Sequence, residues 1–253
     1  MTVRIGLDKA QGLVQAIALK NWGKPMKILK TALLAATAAL AVTSVAQAAD
    51  GPSLSANVGV ASDYVFRGVS QTNGDPEIFG GLDLSAGQAY AGVWLSNVDF
   101  GDGTRIEYDT YAGIKPEVAG FNLDLGVVYY SYLESPKDAK YGYGEVKAAA
   151  SRAIGKATVG AAYYYSPDFF GADEKATYVE LNGAYAINDT VSVTGAYGHQ
   201  ALDVSKDYNT WNIGAAIAVM PKLSLDVRYW DTSEHDIGSI YESRFAATLK
   251  ASF

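Results

Sequence analysis

SRFAATLKASF, residues 243–253, is the stretch that decides the fold. Its side chains alternate in character: Phe245, Leu249 and Phe253 share one face with two alanines, while charged residues such as Arg244 lie on the other. Successive side chains of a β-strand point to opposite faces, so the chain ends on a strand with one apolar and one polar face. An apolar face against lipid, with an aromatic residue at the membrane interface, explains this pattern. The C-terminus therefore predicts a transmembrane β-barrel.

The beginning of the chain has the pattern of a secretory signal peptide. A short basic segment leads into an apolar run, residues 31–45, and an A-x-A cleavage site follows at residues 46–48. The run is short for a membrane-spanning helix and ends in small residues rather than in a charged stop, which argues against a retained anchor. We expect residues 26–48 to be removed, and we interpret residues 1–25 as an upstream start-site artefact or an extended n-region. The barrel is then residues 49–253.

Composition narrows the classes of function. Without residues 1–48 the chain keeps 14 basic and 26 acidic residues, a net charge of −12, which argues against nucleic acid and anionic lipid surfaces as partners. The absence of cysteine excludes a disulfide framework, a thiolate metal site and a thiol nucleophile. Tyrosine, with 18 residues, is abundant, and its amphipathic ring is typical of bilayer interfaces.

The mature part divides into twelve segments of alternating polarity, most of them near the ~10 residues that a tilted membrane strand requires. Connections after even-numbered segments are tight, whereas those after odd-numbered segments are longer and rich in charged residues, glycine and proline. Short periplasmic turns and long external loops are typical of outer-membrane barrels, and an even number of strands places both termini in the periplasm. The predicted strands are 54–68, 77–86, 89–97, 105–115, 121–132, 142–151, 157–165, 176–187, 190–199, 209–219, 223–230 and 242–253.

Charges fall on one phase of these segments. A charge that faces lipid at mid-bilayer costs on the order of 2–4 kcal/mol for Arg or Lys, so a membrane barrel keeps charges on its inner face. A soluble β-sandwich would also alternate, but the aromatic C-terminus, the short and long connections and the aromatics near the ends of the apolar faces favour the barrel. The charged phase holds Asp63, Arg67, Asp83, Arg105, Glu107, Asp109, Lys115, Asp124, Glu145, Lys147, Glu180, Asp226, Arg228, Glu242, Arg244 and Lys250.

Four stretches of the chain resemble a known family. They are SDYVFRGVSQT at 62–72, GQAYAGVWLSNV at 87–98, EYDTYAG at 107–113 and LGVVYYSY at 125–132. Together they are similar to the TorF-type porin family, bacterial outer-membrane proteins long described as conserved proteins of unknown function. The resemblance runs along essentially the whole mature chain. It implies a porin-like outer-membrane barrel in a Gram-negative bacterium, and it supplies neither a substrate nor functional residues.

Within the first of these stretches, we interpret the chain as a strand that leaves the bilayer. Tyr64 and Phe66 are then expected to face the lipid interface, while Asp63 and Arg67 face the lumen. Four residues of strand span about 13 Å, so these two charges do not pair with each other and each needs a cross-strand partner or water. Gly68 is expected to permit the bend into the first external loop.

The inward charges are the candidate pore-lining residues. A barrel of about eight strands fills its interior with side chains and one of sixteen leaves a channel, so twelve is intermediate. Small inward residues such as Gly59, Gly160 and Ala216 leave room for water, which favours a narrow pore for passive diffusion of small hydrophilic solutes. The alternative is a network of charge pairs that closes the lumen of a structural or adhesive barrel. The predicted lining is Asp63, Arg67, Asp83, Glu107, Asp109, Asp124, Glu145, Lys147, Glu180, Asp226, Arg228, Arg244 and Lys250.

The external loops are acidic, which predicts a weak selectivity for cations. Calcium binding at Asp231, Glu234 and Asp236 is less favoured than a solvated acidic turn, because the glycine and terminal glutamate of a calcium loop are missing. We therefore predict no metal and no cofactor. The loops contain Asp75, Glu77, Asp99, Asp102, Glu134, Asp138, Asp168, Asp173, Glu174, Asp203, Asp207, Asp231, Glu234 and Asp236 against Lys137, Lys140, Lys175 and Lys206.

An enzyme is the least favoured class. A lipid-acting barrel needs a serine within hydrogen-bond reach of a histidine and a third group that orients the ring, and no motif joins Ser62, Ser96 or Ser131 to His199. We also predict a monomer, because the loops are short for the infolded constriction of trimeric porins. The expected partners are outer-membrane lipid and lipopolysaccharide, small solutes or cations, and the assembly machinery that reads the strand ending at Phe253.

Overall fold

The computed structural model describes residues 51–253, so the predicted signal peptide at 26–48 and residues 1–25 lie outside the described part. The alternating segments form strands, as the period-two pattern predicts, except at residues 62–68. Twelve long strands are present: β1 Ser53–Ala61, β2 Glu77–Ala86, β3 Ala89–Asn97, β4 Ile106–Ile114, β5 Phe121–Leu133, β6 Tyr143–Ile154, β7 Ala157–Ser166, β8 Ala176–Ala186, β9 Val191–Leu202, β10 Tyr208–Met220, β11 Leu223–Thr232 and β12 Arg244–Ser252.

Each strand pairs antiparallel with the next one along the chain, and β1 pairs with β12 to close the sheet. Val58 lies opposite Ala251 and Val60 opposite Leu249, while the main chain of Phe253 exchanges hydrogen bonds of 2.8 and 3.1 Å with Ala56. Closure leaves neither edge strand unpaired. The prediction of a twelve-stranded, up-and-down antiparallel barrel is confirmed.

The two ends of the barrel differ in their connections. The terminus rim, where Ser53 and Ser252 lie, has tight turns, of which the longest, residues 115–120, carries a two-residue strand at Glu117–Val118. The opposite end, the loop rim, carries the six longer connections, and the last of these contains two 3₁₀ turns, His235–Ile237 and Ser239–Tyr241. The predicted alternation of short and long connections is confirmed. Among residues 51–253, no helix is long and apolar enough to cross a membrane.

The apolar phase of the strands faces outward. Large hydrophobic side chains such as Leu181, Ile213 and Phe245 are exposed there, with 63%, 60% and 74% of their surface accessible. In the described strands, the charged side chains on this face are Arg152 and Asp231, each near an end of its strand. A continuous apolar surface around a closed sheet suits contact with lipid, because monomers in water rarely expose patches of this extent.

The core of the molecule lies inside the barrel, close to the loop rim. Buried aromatic residues such as Tyr130, Tyr143, Tyr178 and Tyr208 all stand within a few positions of that end of their strands. Further toward the terminus rim, the inward positions of several strands carry small residues. The lumen is therefore packed at one end and wider at the other.

The first strand is shorter than predicted. β1 ends at Ala61, not at residue 68, because the chain then turns into the lumen. The amide of Tyr64 donates to Thr72 Oγ1 at 3.1 Å, and the Gln71 amide donates to the Tyr64 carbonyl at 2.7 Å. Backbone groups that would have continued the pairing with a neighbouring strand are thus used within the connection itself.

Candidate functional site

The connection between β1 and β2, residues 62–76, crosses the inside of the barrel, and we name it the crossing loop. Its two short strands, Val65–Phe66 and Val69–Ser70, form a hairpin with Arg67 and Gly68 at the tip. Both tip residues have positive φ, 48° and 84°, which is the backbone of a type I′ turn. Glycine takes this conformation readily, whereas a long side chain such as Arg67 pays a steric cost for it.

The base of the crossing loop is fixed by Asp63. Its carboxylate accepts hydrogen bonds from Ser70 Oγ at 2.6 Å and Thr72 Oγ1 at 2.9 Å, both within the loop. Arg244, at the beginning of β12, donates to the other carboxylate oxygen at 2.9 Å. Of the two possibilities left open by the sequence, a cross-strand partner or water, Asp63 thus has the partner, and the pair joins the loop to the strand that closes the barrel.

The tip of the crossing loop reaches the opposite wall of the barrel. Arg67 donates to both carboxylate oxygens of Glu145 on β6, at 2.8 and 2.7 Å, and to Gln200 Oε1 on β9 at 3.1 Å. The guanidinium carbon lies 4.8 Å from the ring centre of Tyr164 and 4.4 Å from that of Tyr178. The Arg67 and Glu145 side chains are only 6% and 1% exposed, so this ion pair is removed from water.

The flanks of the crossing loop also contact the walls. On one side, the Tyr64 ring packs against Trp94 of β3 at a centroid distance of 5.3 Å, and its hydroxyl donates to Glu107 of β4 at 2.9 Å. On the other side, Gly68 lies so close to β10 and β11 that a Cβ atom there would stand 2.3 Å from Thr210 Oγ1 and 2.8 Å from Thr232 Cγ2. The loop therefore occupies the section of the lumen near the loop rim.

Two predictions about this segment are wrong. Tyr64 and Phe66 do not face lipid: Tyr64 packs on inward-facing Trp94, and Phe66 packs on inward-facing Tyr130 at 5.8 Å. Their alternation belongs to the hairpin and not to β1, so the phase of the strand does not extend to them. The loops are also not too short to enter the barrel, because residues 62–76 form a compact hairpin that spans it.

A cavity of about 440 Å³ lies in the lumen beside the crossing loop. Side chains from the loop, from β2 and β3 and from β10 to β12 surround it, and it combines charged groups with aromatic rings. Among the lining residues are Asp63, Tyr64, Glu77, Phe79, Trp94, Asp226, Arg228, Trp230, Thr248 and Lys250. Acidic and basic side chains therefore share a space large enough for several water molecules or a small solute.

Most of the other predicted lining charges are engaged with neighbours on the inner face. Lys147 pairs with Asp124 at 2.6 Å, and the same carboxylate accepts from the Tyr90 hydroxyl at 2.7 Å. Tyr111 donates to Asp83 at 2.6 Å. These contacts bring together groups from β2 to β6 on the lumen side, as the phase of the charges predicts.

Three of the remaining charges differ in the partners that their side chains contact. Arg228 donates to Asp226, two residues away on β11, at 3.0 and 2.9 Å. Glu180 accepts from Tyr178 at 2.9 Å and from Asn182 at 3.0 Å, without a basic partner among its described hydrogen bonds. Asp109 is buried, and within the described residues one of its carboxylate oxygens has no hydrogen-bond partner.

Aromatic and amide side chains accompany these charges in the lumen, and the charge pattern of the sequence does not predict them. Except for Tyr64, which belongs to the crossing loop, they share the inward phase of the strands with the charges, and this phase distinguishes them from tyrosines at the membrane interface. The missed residues are Tyr64, Tyr90, Trp94, Tyr111, Tyr130, Tyr164, Tyr178, Gln200 and Trp230.

The loop rim carries an aromatic cluster, which a hydrogen bond between Tyr141 and Asp102 accompanies. Phe100, Tyr132, Tyr141 and Phe170 contact one another with centroid distances of 4.8–6.3 Å. Burial and a 2.6 Å hydrogen bond to Asp102 raise the pKa of Tyr141 to about 12. These contacts hold three of the long connections together above the crossing loop.

The acidic turn after β11 behaves as ordinary solvated polar structure. His235 hydrogen-bonds to Asp231 at 2.8 Å, and this bond, reinforced by the nearby negative charges, raises the pKa of the imidazole. Glu234 pairs with Lys206 instead of turning toward a shared site. In the described part of the chain, no cluster of three or more acidic, histidine or cysteine residues has the geometry of a metal site. His199, the candidate catalytic histidine, hydrogen-bonds to Asn209 at 2.9 Å.

Solved porin structures share this architecture. The chain aligns with the KdgM porin at a TM-score of 0.54 and 9% identity, and with the KdgM porin in complex with disordered oligogalacturonate at 0.56 and 10%. Each alignment covers 79% of this chain and 99% of the porin. The COG4313 outer membrane channel from Pseudomonas putida F1 aligns at 0.48 and 12% identity, over 83% of this chain and 98% of that one.

At these identities the likeness concerns the fold, which is that of a porin barrel. No curated protein matches the sequence. A family of bacterial proteins does match it, along residues 45–253, which is the whole barrel together with the last residues before it. The chain therefore belongs to the family described as bacterial protein of unknown function (Gcw_chp).

Proposed function

We propose that this protein is an outer-membrane channel for passive diffusion of small hydrophilic solutes, with a weak preference for cations. The observation that carries the proposal is the charged cavity of about 440 Å³ inside a closed barrel whose outer face is apolar. A closed sheet in lipid needs no polar interior for its own stability, and the charges there require water or partners. A hydrated lumen gives them both. The likeness to the KdgM porin supports this at the level of the fold.

The crossing loop is the limiting section of this channel. It contacts walls on three sides through Tyr64, Arg67 and Gly68, so the free cross-section beside it is smaller than elsewhere in the lumen. Solutes pass through the remaining gaps or when the loop moves. We expect a low conductance, which rises when the contacts of the loop tip are removed.

The preference for cations follows from the acidic connections at the loop rim. Negative charge at a mouth raises the local concentration of cations. Glu77, counted among the loop acids in the sequence, instead lies buried at the start of β2, on the inner face of the barrel.

The proposal includes the orientation and surroundings of the barrel. We place the termini in the periplasm and the loop rim outside, in contact with outer-membrane lipid and lipopolysaccharide. The protein acts as a monomer and is inserted by an assembly machinery that recognises the strand ending at Phe253, a residue paired with β1 in the closed barrel. The resemblance to the TorF-type porin family supports the same assignment.

The test is single-channel conductance of the full chain, expressed in a Gram-negative host, extracted from its outer membrane and placed in a planar bilayer. We expect discrete steps and a reversal potential that favours cations under a salt gradient. Arg67→Ala is expected to raise the conductance or the open fraction, because it releases the tip of the crossing loop. No current from either the parent protein or Arg67→Ala, with folding verified by heat-sensitive gel mobility and circular dichroism, would exclude a channel.

A second candidate is a closed structural or adhesive barrel that acts through its loop rim. It is favoured by the buried pair of Arg67 with Glu145 and by the aromatic cluster above it, which together pack the end of the lumen. Conductance separates the two candidates, because a closed barrel carries no current in either the parent protein or Arg67→Ala.

A further inference from the structure

The wall that receives Arg67 has the composition of a binding site. We name it the cation cage and define it by Glu145 on β6, Tyr164 on β7, Tyr178 on β8 and Gln200 on β9. Glu145 presents both carboxylate oxygens, Gln200 an amide oxygen, and the two tyrosines their ring faces, at the distances given above. All four belong to strands of the barrel. The cage is therefore a feature of the rigid wall, and only its occupant comes from the loop.

The chemistry of the cage selects a particular cation. Two parallel hydrogen bonds to a carboxylate match the planar fork of a guanidinium, and a guanidinium also stacks on aromatic rings. An ammonium is a compact, strongly hydrated charge that cannot form the same paired bonds, so it fits less well. A neutral planar molecule lacks the charge that Glu145, buried among aromatic rings, requires. The Tyr130 hydroxyl, which donates to Glu145 at 3.1 Å, completes the surroundings of the carboxylate.

The occupant is held there at a cost. Arg67 has a φ of 48°, in the left-handed region that non-glycine residues rarely adopt. Phe66, the residue before Arg67 in the loop, also contacts the guanidinium, whose carbon lies 4.7 Å from the centre of the Phe66 ring. Strained backbone of this kind persists when surrounding contacts over-determine it, and here the surrounding contacts are those of the cage.

We propose that the cation cage is a binding site for solutes that carry a guanidinium group, and that Arg67 occupies it as a tethered substitute for such a solute. The inference rests on the proposed channel and gives it a substrate class. A guanidinium solute that takes the place of Arg67 releases the tip of the crossing loop and widens the lumen. The solute thereby favours the open state, because it binds only where the tip has left the cage.

The tether sets the concentration at which a free solute competes. A group attached by a short segment acts at an effective concentration of about millimolar or higher, so the intact protein responds only to comparable concentrations of free ligand. Removing the Arg67 side chain removes this competition. The empty cage of Arg67→Ala is therefore the form in which binding is measured.

The experiment titrates Arg67→Ala, in lipid nanodiscs, with methylguanidinium, and follows binding by the intrinsic fluorescence of the protein. We expect binding at least tenfold tighter than to the parent protein, and at least tenfold tighter for methylguanidinium than for methylammonium or urea. Adding Glu145→Gln to Arg67→Ala is expected to weaken binding at least tenfold. Arg228→Ala is the matched control. Arg228 also bonds to a carboxylate, Asp226, and to an amide oxygen, that of Asn212, but it is more exposed than Arg67 and lies 5.7 Å from a single ring, that of Trp230, instead of between two tyrosines.

Equal binding to Arg67→Ala and Arg228→Ala, or equal affinity for methylguanidinium and methylammonium, would overturn the proposal. A second measurement does not depend on the folding of any variant. In the parent protein, hydrogen exchange of residues 65–70 is expected to accelerate several-fold at high methylguanidinium and to stay constant with the same concentration of methylammonium. Equal effects of the two ions, or none, would count against the cage.

These readouts are independent of ion flow. If Arg67→Ala binds methylguanidinium but neither protein conducts, the site stands and the channel is excluded. If the protein conducts but the cage does not distinguish the ligands, the channel stands and the guanidinium specificity is excluded. The failure of one proposal is thus distinguishable from the failure of the other.

Discussion

Replacing Gly68 with alanine tests whether the crossing loop is seated against the wall. Gly68 has a φ of +84°, and a Cβ atom at this position would lie 2.3 Å from Thr210 Oγ1 and 2.8 Å from Thr232 Cγ2. Two costs therefore add. The left-handed backbone costs an L-residue about 1–2 kcal/mol, and forcing an extra methyl group into a packed site costs about 1–3 kcal/mol. We expect a total destabilisation of roughly 2–5 kcal/mol relative to the parent protein.

Gly74 in the same loop supplies a matched control. Its φ is +81°, almost equal to that of Gly68, but no atom lies within 4 Å of the position that its Cβ would take. Gly74→Ala should therefore carry only the backbone cost of about 1–2 kcal/mol. The difference between the two substitutions, about 1–3 kcal/mol, isolates the contact between the crossing loop and strands β10 and β11.

The assay is urea unfolding of each variant in lipid vesicles, with the free energy of unfolding taken by linear extrapolation. Hydrogen exchange of residues 65–70 is measured in parallel, because the loop can relieve the clash by leaving the wall, which limits the loss of stability. In either case Gly68→Ala should lower the free energy of unfolding, or raise the hydrogen-exchange rate of residues 65–70, more than Gly74→Ala does. Equal values of both quantities for the two variants would refute the seating of the loop.

Two further predictions concern the outer face and the loop rim. Leu181→Arg places a charge on the exposed apolar face at the middle of β8 and should lower the free energy of unfolding in vesicles by about 2–4 kcal/mol. Asn182→Arg, on the inner face, should lower it much less. Equal losses in urea unfolding would contradict the assignment of the two faces. The pKa of His235 should lie above 6.5 in an NMR titration and fall toward it in Asp231→Asn. Because the pKa of His235 is raised in the folded protein, the pair stabilises the fold fully below the pKa of the unfolded state, and this contribution disappears as the pH rises through the folded pKa. A His235 pKa that is unchanged by Asp231→Asn would contradict the pairing.

The barrel was predictable because its physical constraints act on every strand. A spanning strand must keep its outer face apolar, so the phase of Leu181 and Ile213 and the charges opposite them are visible in the sequence. Strand number, the rhythm of connections and closure through the C-terminal strand follow from this repetition. Errors at strand ends were small except at β1, where local hydrogen bonds replace the ladder.

The path of residues 62–76 was not predictable in the same way. Alternation continues from β1 through Tyr64 and Phe66 without interruption, so the pattern alone extends the strand. The deciding interactions are distant: Arg67 with Glu145 and Gln200, and Asp63 with Arg244. An arginine followed by glycine does suggest a tight turn, but the wall that receives it is formed by strands far along the chain.

The predicted site residues that lie on strands point to the lumen, as their phase predicts, because the face of a strand is a local property, whereas Asp63 and Arg67 lie in the crossing loop. Which of them pair is not local: Asp124 with Lys147 and Arg67 with Glu145 depend on strand register and on the path of the loop. The tyrosines of the inner face were overlooked because the same residue type also serves at membrane interfaces. Tyrosine on the charged phase is the signal that distinguishes the two uses.

The contacts of the crossing loop bear on how the barrel is made. Arg67 meets partners 78 and 133 residues further along the chain, and Asp63 meets one 181 residues away. The hairpin emerges near the beginning of the chain, yet its seat does not exist until β6 to β9 have paired. Its base also requires β12, because Asp63 pairs with Arg244 on that strand. Because contacts of such separation slow folding, we expect the last kinetic phase of refolding to be the joint insertion of the hairpin and closure of the seam.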